Sequence, residues 1–372
     1  MRPASAVIRA RKRDPVVHRV LSAWRRLTDG KLRRDADRPT IVACSGGADS
    51  SALAIALAAS SAEVVLLHAV HDLRPASEAF ADADAVRELA ERTGCAFALA
   101  ECSVAGLGGN LERAASRARK RALLAAAESR GIPFIATGHT ADDQLETLLM
   151  RVVRGSGPRG MRGILPVRSL RVDGGTASIV RPMLGVNRED AAELCRRVGW
   201  AWREDRTNLD AERVRSAIRA RVIPELKAIV PSAANGAALT AATMARHEEA
   251  LETRARSFLR RHLGRDGRLV VSRRTLIHCH SAELGAALRL LVRQAGGRSL
   301  DRLAGTDIER LMEWAEAAPR ESVEVRFGPL SIRRVGDEIL IGIGSGLGSG
   351  GAPRDRSIGP GNVDDSLRFE RQ

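Results

Sequence analysis

The sequence predicts an α/β protein: a Rossmann-like parallel sheet with helices on both faces, followed by a smaller, mostly helical α+β domain. Three observations predict it. Short apolar runs alternate with helical periodicities from about residue 40 to 154, the rhythm of parallel strands joined by crossover helices. A Gly-rich turn, Ser45-Gly46-Gly47, lies between the first apolar run and the helix that follows it. With 372 residues, 44% of them hydrophobic, the chain is long enough to build two cores.

Each element follows from local pattern. Residues 14–28 place Val17, Leu21, Trp24 and Leu27 on one helical face, giving a basic N-terminal segment and helix over 1–37. The polar stretch GKLRRDADRP then breaks the pattern. Strands are predicted over 40–44, 63–69, 95–101 and 133–137, where runs such as EVVLLHA and PFIAT suit a sheet covered on both faces. Helices are predicted over 50–60, 77–93, 111–130 and 141–154. After a Gly/Arg-rich loop, a strand at 178–181 and a helix at 187–198 bring the first domain, 38–225, to its end. A long helical pattern from 233 opens a second domain, 233–343, with a strand at 269–272, helices at 281–295 and 305–317, and strand-like stretches at 322–327 and 330–342. Residues 344–372, rich in Gly and Ser and poor in apolar groups, are expected to form a disordered tail.

Composition narrows the class of function. The formal net charge is +15, which favours a polyanionic partner, nucleic acid first. Only four residues are lysine and none is tyrosine, a skew that genome composition would also produce. Five scattered cysteines without a CxxC pair argue against a disulfide framework or a zinc ribbon, and His278-Cys279-His280 lacks a second pair of ligands. No window approaches the roughly 18 uncharged apolar residues of a membrane span. No apolar region follows the basic N-terminus either, so a cytoplasmic location without membrane contact is expected.

In parallel sheets ligands sit beyond the carboxyl ends of the strands, which directs attention to two turns. The first is SGGADS, residues 45–50. A strand, a Gly-rich turn and a helix gather backbone N–H groups and the positive end of a helix dipole around one point, which suits phosphate. An ordinary tight turn with a serine cap has the same look. It is not a Walker A loop, which requires a lysine. Asp49 adds information, because a carboxylate beside a phosphate cradle repels it unless a cation intervenes; Mg²⁺ is the natural choice.

The second turn is GHTADDQLE, residues 138–146, where Thr140 caps a helix carrying Asp142 and Asp143 in its first turn and Glu146 one turn on. Acids there are ordinarily dipole stabilisers, but three of them beside a Gly-His turn at a ligand edge ask for more. His68, His71 and Arg74 at the end of the second strand read either as structural residues or as ATP contacts. On spacing alone, Arg113, Arg117 and Lys120 form a solvated helix face.

Taken in order, SGGADS, HAVHDLR, the 110–119 stretch, GHTADDQLETLLMRVVRGSGPRGM, RPML at 181–184 and WREDRTN at 202–208 resemble the tRNA(Ile)-lysidine synthetase family of N-type ATP pyrophosphatases, over about residues 14–225. The resemblance extends more weakly to 233–343, which is similar to the family's substrate-binding middle domain; the further C-terminal domain of longer members is expected to be missing. It implies a PP-loop fold and ATP and Mg²⁺ as cofactors. It also implies a reaction in which ATP adenylates the wobble cytidine of a CAU-anticodon tRNA(Ile) and free L-lysine then displaces AMP, changing decoding from AUG to AUA. A homodimer is left open.

Carried over residue by residue, Ser45, Gly46, Gly47, Ala48, Asp49 and Ser50 match the ATP loop, with His68, Gly138 and His139 beside it. Asp49 is the implied metal ligand, and Asp143 is expected to contact the metal or the base. Asp142 or Glu146 is expected to receive the lysine ammonium, Arg117 to stabilise negative charge during adenylation, and His71 or a carboxylate to deprotonate the amine. Arg154, Arg206, Asn208, Arg215 and Arg219 are the expected lysine or tRNA contacts. Two departures stand out: Ser216 occupies the asparagine position of the family's Arg-Asn-x-x-Arg, and Lys120 occupies a position that is usually aromatic.

Overall fold

The computed structural model describes residues 7–71, 76–102, 111–172, 175–203, 213–294, 303, 305–319 and 324–343. These divide into two compact units, 1–248 and 249–372. Sequence reading placed the change of domain at 226–232, ahead of the long helix that the division cuts.

Helix α1 (Pro15–Leu27) starts at Asp14, whose carboxylate accepts the N–H groups of Val16 and Val17 at 2.8 and 3.3 Å. Its apolar face is buried, and Trp24 donates its indole N–H to Thr40 at 3.1 Å, fastening the helix to the first strand. The polar stretch that follows folds around Arg38, whose fully buried guanidinium donates to the carbonyls of Thr28, Gly30 and Arg33. Among the described residues no carboxylate is ion-paired with it, and the backbone carbonyls around it make its burial tolerable.

The alternating region forms β1 (Thr40–Ala43), α2 (Ala48–Ala58), β2 (Val64–His71), α3 (Ala76–Thr93), β3 (Ala96–Cys102), α4 (Leu111–Ser129), β4 (Phe134–Thr137) and α5 (Ala141–Val153). A short α6 (Pro158–Met161) precedes β5 (Val167–Val172), β6 (Gly175–Val180) and α7 (Arg188–Arg197). The sheet order is β3-β2-β1-β4-β6-β5, parallel throughout except for β5, which runs antiparallel to β6. Strand β5 escaped prediction because VRSLRV carries two arginines and lies at an edge, where charge guards against further pairing.

Alternate residues of each strand enter separate cores. Val42, Leu66 and Ala136 face α1, α2, α3 and α7, while Ile41, Leu67 and Ile135 face α4. Helix α2 is buried from Ser50 to Leu57, so its first turn is held rigidly where the sheet ends. The chain runs outward from β1 to β3 and returns on the other side at β4. The topological switch therefore lies between β1 and β4, where ligands bind in open α/β sheets.

The first unit continues with α8 (Arg213–Ala217), a π-helical turn (Ile218–Val222), α9 (Ile223–Ile229) and the start of α10 (Ala233–His262). The second unit takes over within α10 and adds β7 (Leu269–Ser272), α11 (Arg273–His278), α12 (Ser281–Gln294), α13 (Gly305–Ala317), β8 (Val325–Phe327), β9 (Leu330–Val335) and β10 (Glu338–Ile343). Its antiparallel sheet, ordered β7-β10-β9-β8, shares a separate core with α12 and α13. No described helix is long and apolar enough to cross a membrane. The expected tail, 344–372, lies outside the described residues.

Candidate active site

Two sequence-distant turns meet because β1 and β4 are hydrogen-bonded neighbours with Ala43 opposite Thr137. After β1, Gly46 takes φ +87°, a left-handed conformation that L side chains rarely adopt. Gly47 is the N-cap of α2 and supplies no capping side chain. The first N–H groups of an 11-residue helix are thus left without intrahelical partners, at the positive end of its dipole. Ser50 shapes the turn: its Oγ accepts the Ser45 N–H at 3.2 Å, sits 3.2 Å from Ser45 Oγ and donates to the Gly47 carbonyl at 3.1 Å. Buried His68 places Nδ1 2.9 Å from the Cys44 carbonyl and braces the strand end.

Gly138 brings the second turn onto the first. A Cβ there would lie 3.1 Å from the carbonyl atoms of Asp49 and from Ser50 Cα, so only glycine permits this approach without a shift. His139 hydrogen-bonds Thr137 Oγ1 at 2.9 Å. Burial lowers its pKa, Asp143 opposes that, and Arg181 and Arg215 push it down further, so its imidazole favours the neutral state. Asp143 Oδ2 accepts both the N–H and the hydroxyl of Thr140, at 2.8 and 3.1 Å, fixing the start of α5.

Beyond these turns lies a network of ion pairs. Arg188, the first residue of α7, sends Nε to Asp49 Oδ2 at 3.3 Å, and Nη2 to Asp143 Oδ1 at 3.1 Å and Glu146 Oε1 at 3.4 Å. Glu146 has no solvent exposure and also takes Arg219 at 2.7 and 2.9 Å and Arg215 at 3.1 Å. Arg215 and Arg219 are four residues apart, a spacing that puts both on one helical face toward the same carboxylate. Asp142 accepts the Arg188 N–H at 2.7 Å and pairs with Lys227 Nζ. Four carboxylates, Asp49, Asp142, Asp143 and Glu146, thereby meet four cations, Arg188, Arg215, Arg219 and Lys227.

The electrostatics are uneven inside this neutral cluster. Burial would raise the pKa of Glu146 and Asp142, but Arg219 and its neighbours hold the first down, and the Arg188 N–H and Lys227 hold the second down. Asp49 behaves differently: burial raises it to about 6 despite Arg188. Arg188 is shared among four acids, and Asp49 Oδ1 is buried with no hydrogen-bond partner. The guanidinium itself loses by burial and gains more from Asp143, Asp49, Glu146 and Asp142, so its pKa is raised.

A magnesium ion fits this donor set. One cation, Arg188, already spans Asp49 and Asp143, and the free Asp49 oxygen offers a ligand without a partner. No group of three or more acidic, imidazole or thiol ligands converges among the described residues. Two carboxylates with water and phosphate oxygens completing the shell is the usual arrangement for this ion.

Of the residues singled out from the sequence, Ser45, Gly46, Gly47, Ala48, Asp49, Ser50, His68, Gly138, His139, Asp142, Asp143, Glu146, Arg215 and Arg219 lie at or around these two turns. Arg117 is exposed on α4 and Arg154 exposed at the end of α5, and neither joins the ion-pair network. The side chain of His71, and Arg206 and Asn208 altogether, lie outside the described residues. Sequence reading missed Arg188 and Lys227. Arg188 left a trace, since a cation in the first turn of a helix opposes the dipole and asks for a reason.

Residues 22–226 match the PP-loop domain family. A tRNA(Ile)-lysidine synthase of Salinispora tropica is 37% identical over 265 residues, covering 67% of this chain and 77% of the relative. The synthase of the same name from Thermus thermophilus is 33% identical over 319 residues, covering 83% of this chain and 58% of the relative. Among solved structures, the U34-tRNA thiolase NcsA from Methanococcus maripaludis, with its [4Fe-4S] cluster, aligns with a TM-score of 0.50 at 15% identity, over 62% of this chain and 79% of that one. At that identity the likeness concerns the fold.

Proposed function

This chain belongs to the PP-loop domain family and, within it, to the tRNA(Ile)-lysidine synthases, and from that premise we propose that the β1–β4 edge carries out both halves of the reaction. The enzyme uses ATP to join L-lysine to a cytidine of tRNA(Ile), with an adenylated base as intermediate. The target is the wobble cytidine of a CAU anticodon. One observation carries the placement: an amide-lined helix N-terminus and four carboxylates meet at the topological switch of the sheet.

The chain's own groups divide the work. The N–H groups at Gly46–Asp49 face the place where a pyrophosphate is stabilised by a helix dipole. Asp49 and Asp143 would hold Mg²⁺, which when bound offsets the charge of the phosphates. Asp142 and Glu146 already carry cations, so an incoming lysine ammonium would exchange with Lys227 or a guanidinium on the same carboxylates. Neutral His139, whose Nδ1 is held by Thr137, would take a proton from the attacking amine on its other ring nitrogen. Arg215 and Arg219 hold Glu146 in position.

Mass spectrometry of nucleosides from CAU-anticodon tRNA, treated with enzyme, ATP, Mg²⁺ and lysine, tests this reading. Wild type should form lysidine and Asp49→Ala should not. Lysidine from both, or from neither, would refute the assignment.

A further inference from the structure

A second charged cluster lies on the same sheet edge. Arg181 directly follows β6 and donates Nη1 to the Leu165 carbonyl at 2.6 Å, while its Nε is buried and has no acceptor. Arg168 on β5 stands opposite Ile179, two residues before Arg181 on the neighbouring strand. Lys120 is carried by α4, which packs on both strands. Among the described residues none of the three has a carboxylate partner, and the charges of Arg168 and Arg181 act on Lys120. Burial and these like charges together push the Lys120 pKa down. Lys120 and Arg181 are half-buried and Arg168 is exposed; like charges gathered at one place repel one another, and an anion arriving among them would offset that repulsion.

We propose that Lys120, Arg168 and Arg181 form a subsite for one phosphodiester of the RNA strand that presents the reacting base. The proposal rests on the lysidine synthase reading for the identity of the RNA. Strand spacing separates this phosphate from the one at the β1 turn. In the order β1-β4-β6-β5, β6 and β5 lie two and three places away, about 10 and 14 Å at roughly 4.8 Å per strand. A phosphate held by the α2 amides does not reach the β5 side of that interval. An ammonium suits a backbone phosphate, whereas an aromatic ring suits a stacked base.

The test compares wild type with Lys120→Met and Lys120→Arg. Full chains are titrated with the CAU-anticodon tRNA at several salt concentrations, and separately with a fluorescent ATP analogue. Lys120→Met should weaken tRNA binding about tenfold and lessen the salt slope by about 1, leave nucleotide affinity within about twofold, and raise the thermal midpoint of the free protein. Lys120→Arg should restore tRNA affinity. Unchanged tRNA affinity and slope, a loss confined to the nucleotide, or a lowered midpoint in Lys120→Met would each overturn the subsite. Lysidine formation by wild type is scored separately, so a failure of the enzymatic reading leaves the binding result interpretable.

Discussion

Around Glu146 every carboxylate meets a guanidinium or an ammonium, whereas around Arg181, among the described residues, the neighbouring charges are cations with no ion-paired acid. The two also differ in burial, since Glu146 has no solvent exposure whereas Lys120 and Arg181 are half-buried and Arg168 is exposed. The balanced cluster is complete as the protein stands, and any cationic ligand has to exchange with a resident one. The unbalanced cluster is incomplete, and an anion satisfies it. Asp49 stands between the two cases, with one oxygen paired and the other buried without a partner.

Asp49→Asn is the strongest way to break the comparison. Lysidine formation should fall by about 10³-fold or more if the lost charge organises Mg²⁺ and phosphate. The metal-free protein should nevertheless become more stable. The folded-state pKa of about 6 lies above the ordinary 3.8, so the native state binds this proton more tightly than the unfolded one. Ionisation then costs stability as pH rises through that window, and at pH 8 the amide should recover about 1–3 kcal/mol. A thermal melt without Mg²⁺ checks the sign; a lowered midpoint would mean that Asp49 is held by its partners after all.

Next comes Glu146→Gln, which leaves Arg215, Arg219 and part of Arg188 without their anion. Breaking a buried pair costs roughly 3–5 kcal/mol. The lower figure, about 3 kcal/mol, is expected here because Arg215 and Arg219 remain 40% and 39% exposed and water can serve them. Urea unfolding measures it, and a loss below about 0.5 kcal/mol would show that the network is held by surface-type pairs.

Gly138→Ala should cost about 1–3 kcal/mol by overpacking, because the new methyl meets the Asp49 backbone at 3.1 Å. It should also reduce turnover more than it raises the Michaelis constant for lysine, since the displaced group is Asp49. The smallest effect is expected from Thr140→Ala, about 1 kcal/mol from the start of α5, with unfolding as the readout. A much larger loss of activity than of stability would assign Thr140 to the chemistry as well as to the helix cap.

Much of this was legible in local pattern. The alternation of apolar runs and helical periods marked the strands and helices of the sheet, and its two ligand-edge turns were visible as contiguous stretches, SGGADS and GHTADDQLE. Each is a short segment whose backbone geometry depends on its own glycines and caps, Gly46 by conformation and Thr140 with Asp143 by hydrogen bonding. Strand β5 was hidden because edge position lets arginines stand where a buried strand needs apolar groups.

What the tertiary structure decided was which charges meet. Arg188 reaches Asp49 across 139 positions of sequence, and Arg219 reaches Glu146 across 73. No periodicity links residues so far apart. Their meeting is set by strand order and by where each helix begins above the sheet, while a charge's energetic role depends on the dielectric and the partners it finds there. The sequence determined that the acids and bases were present, and folding alone determined that one cluster would be neutral and the other left positive.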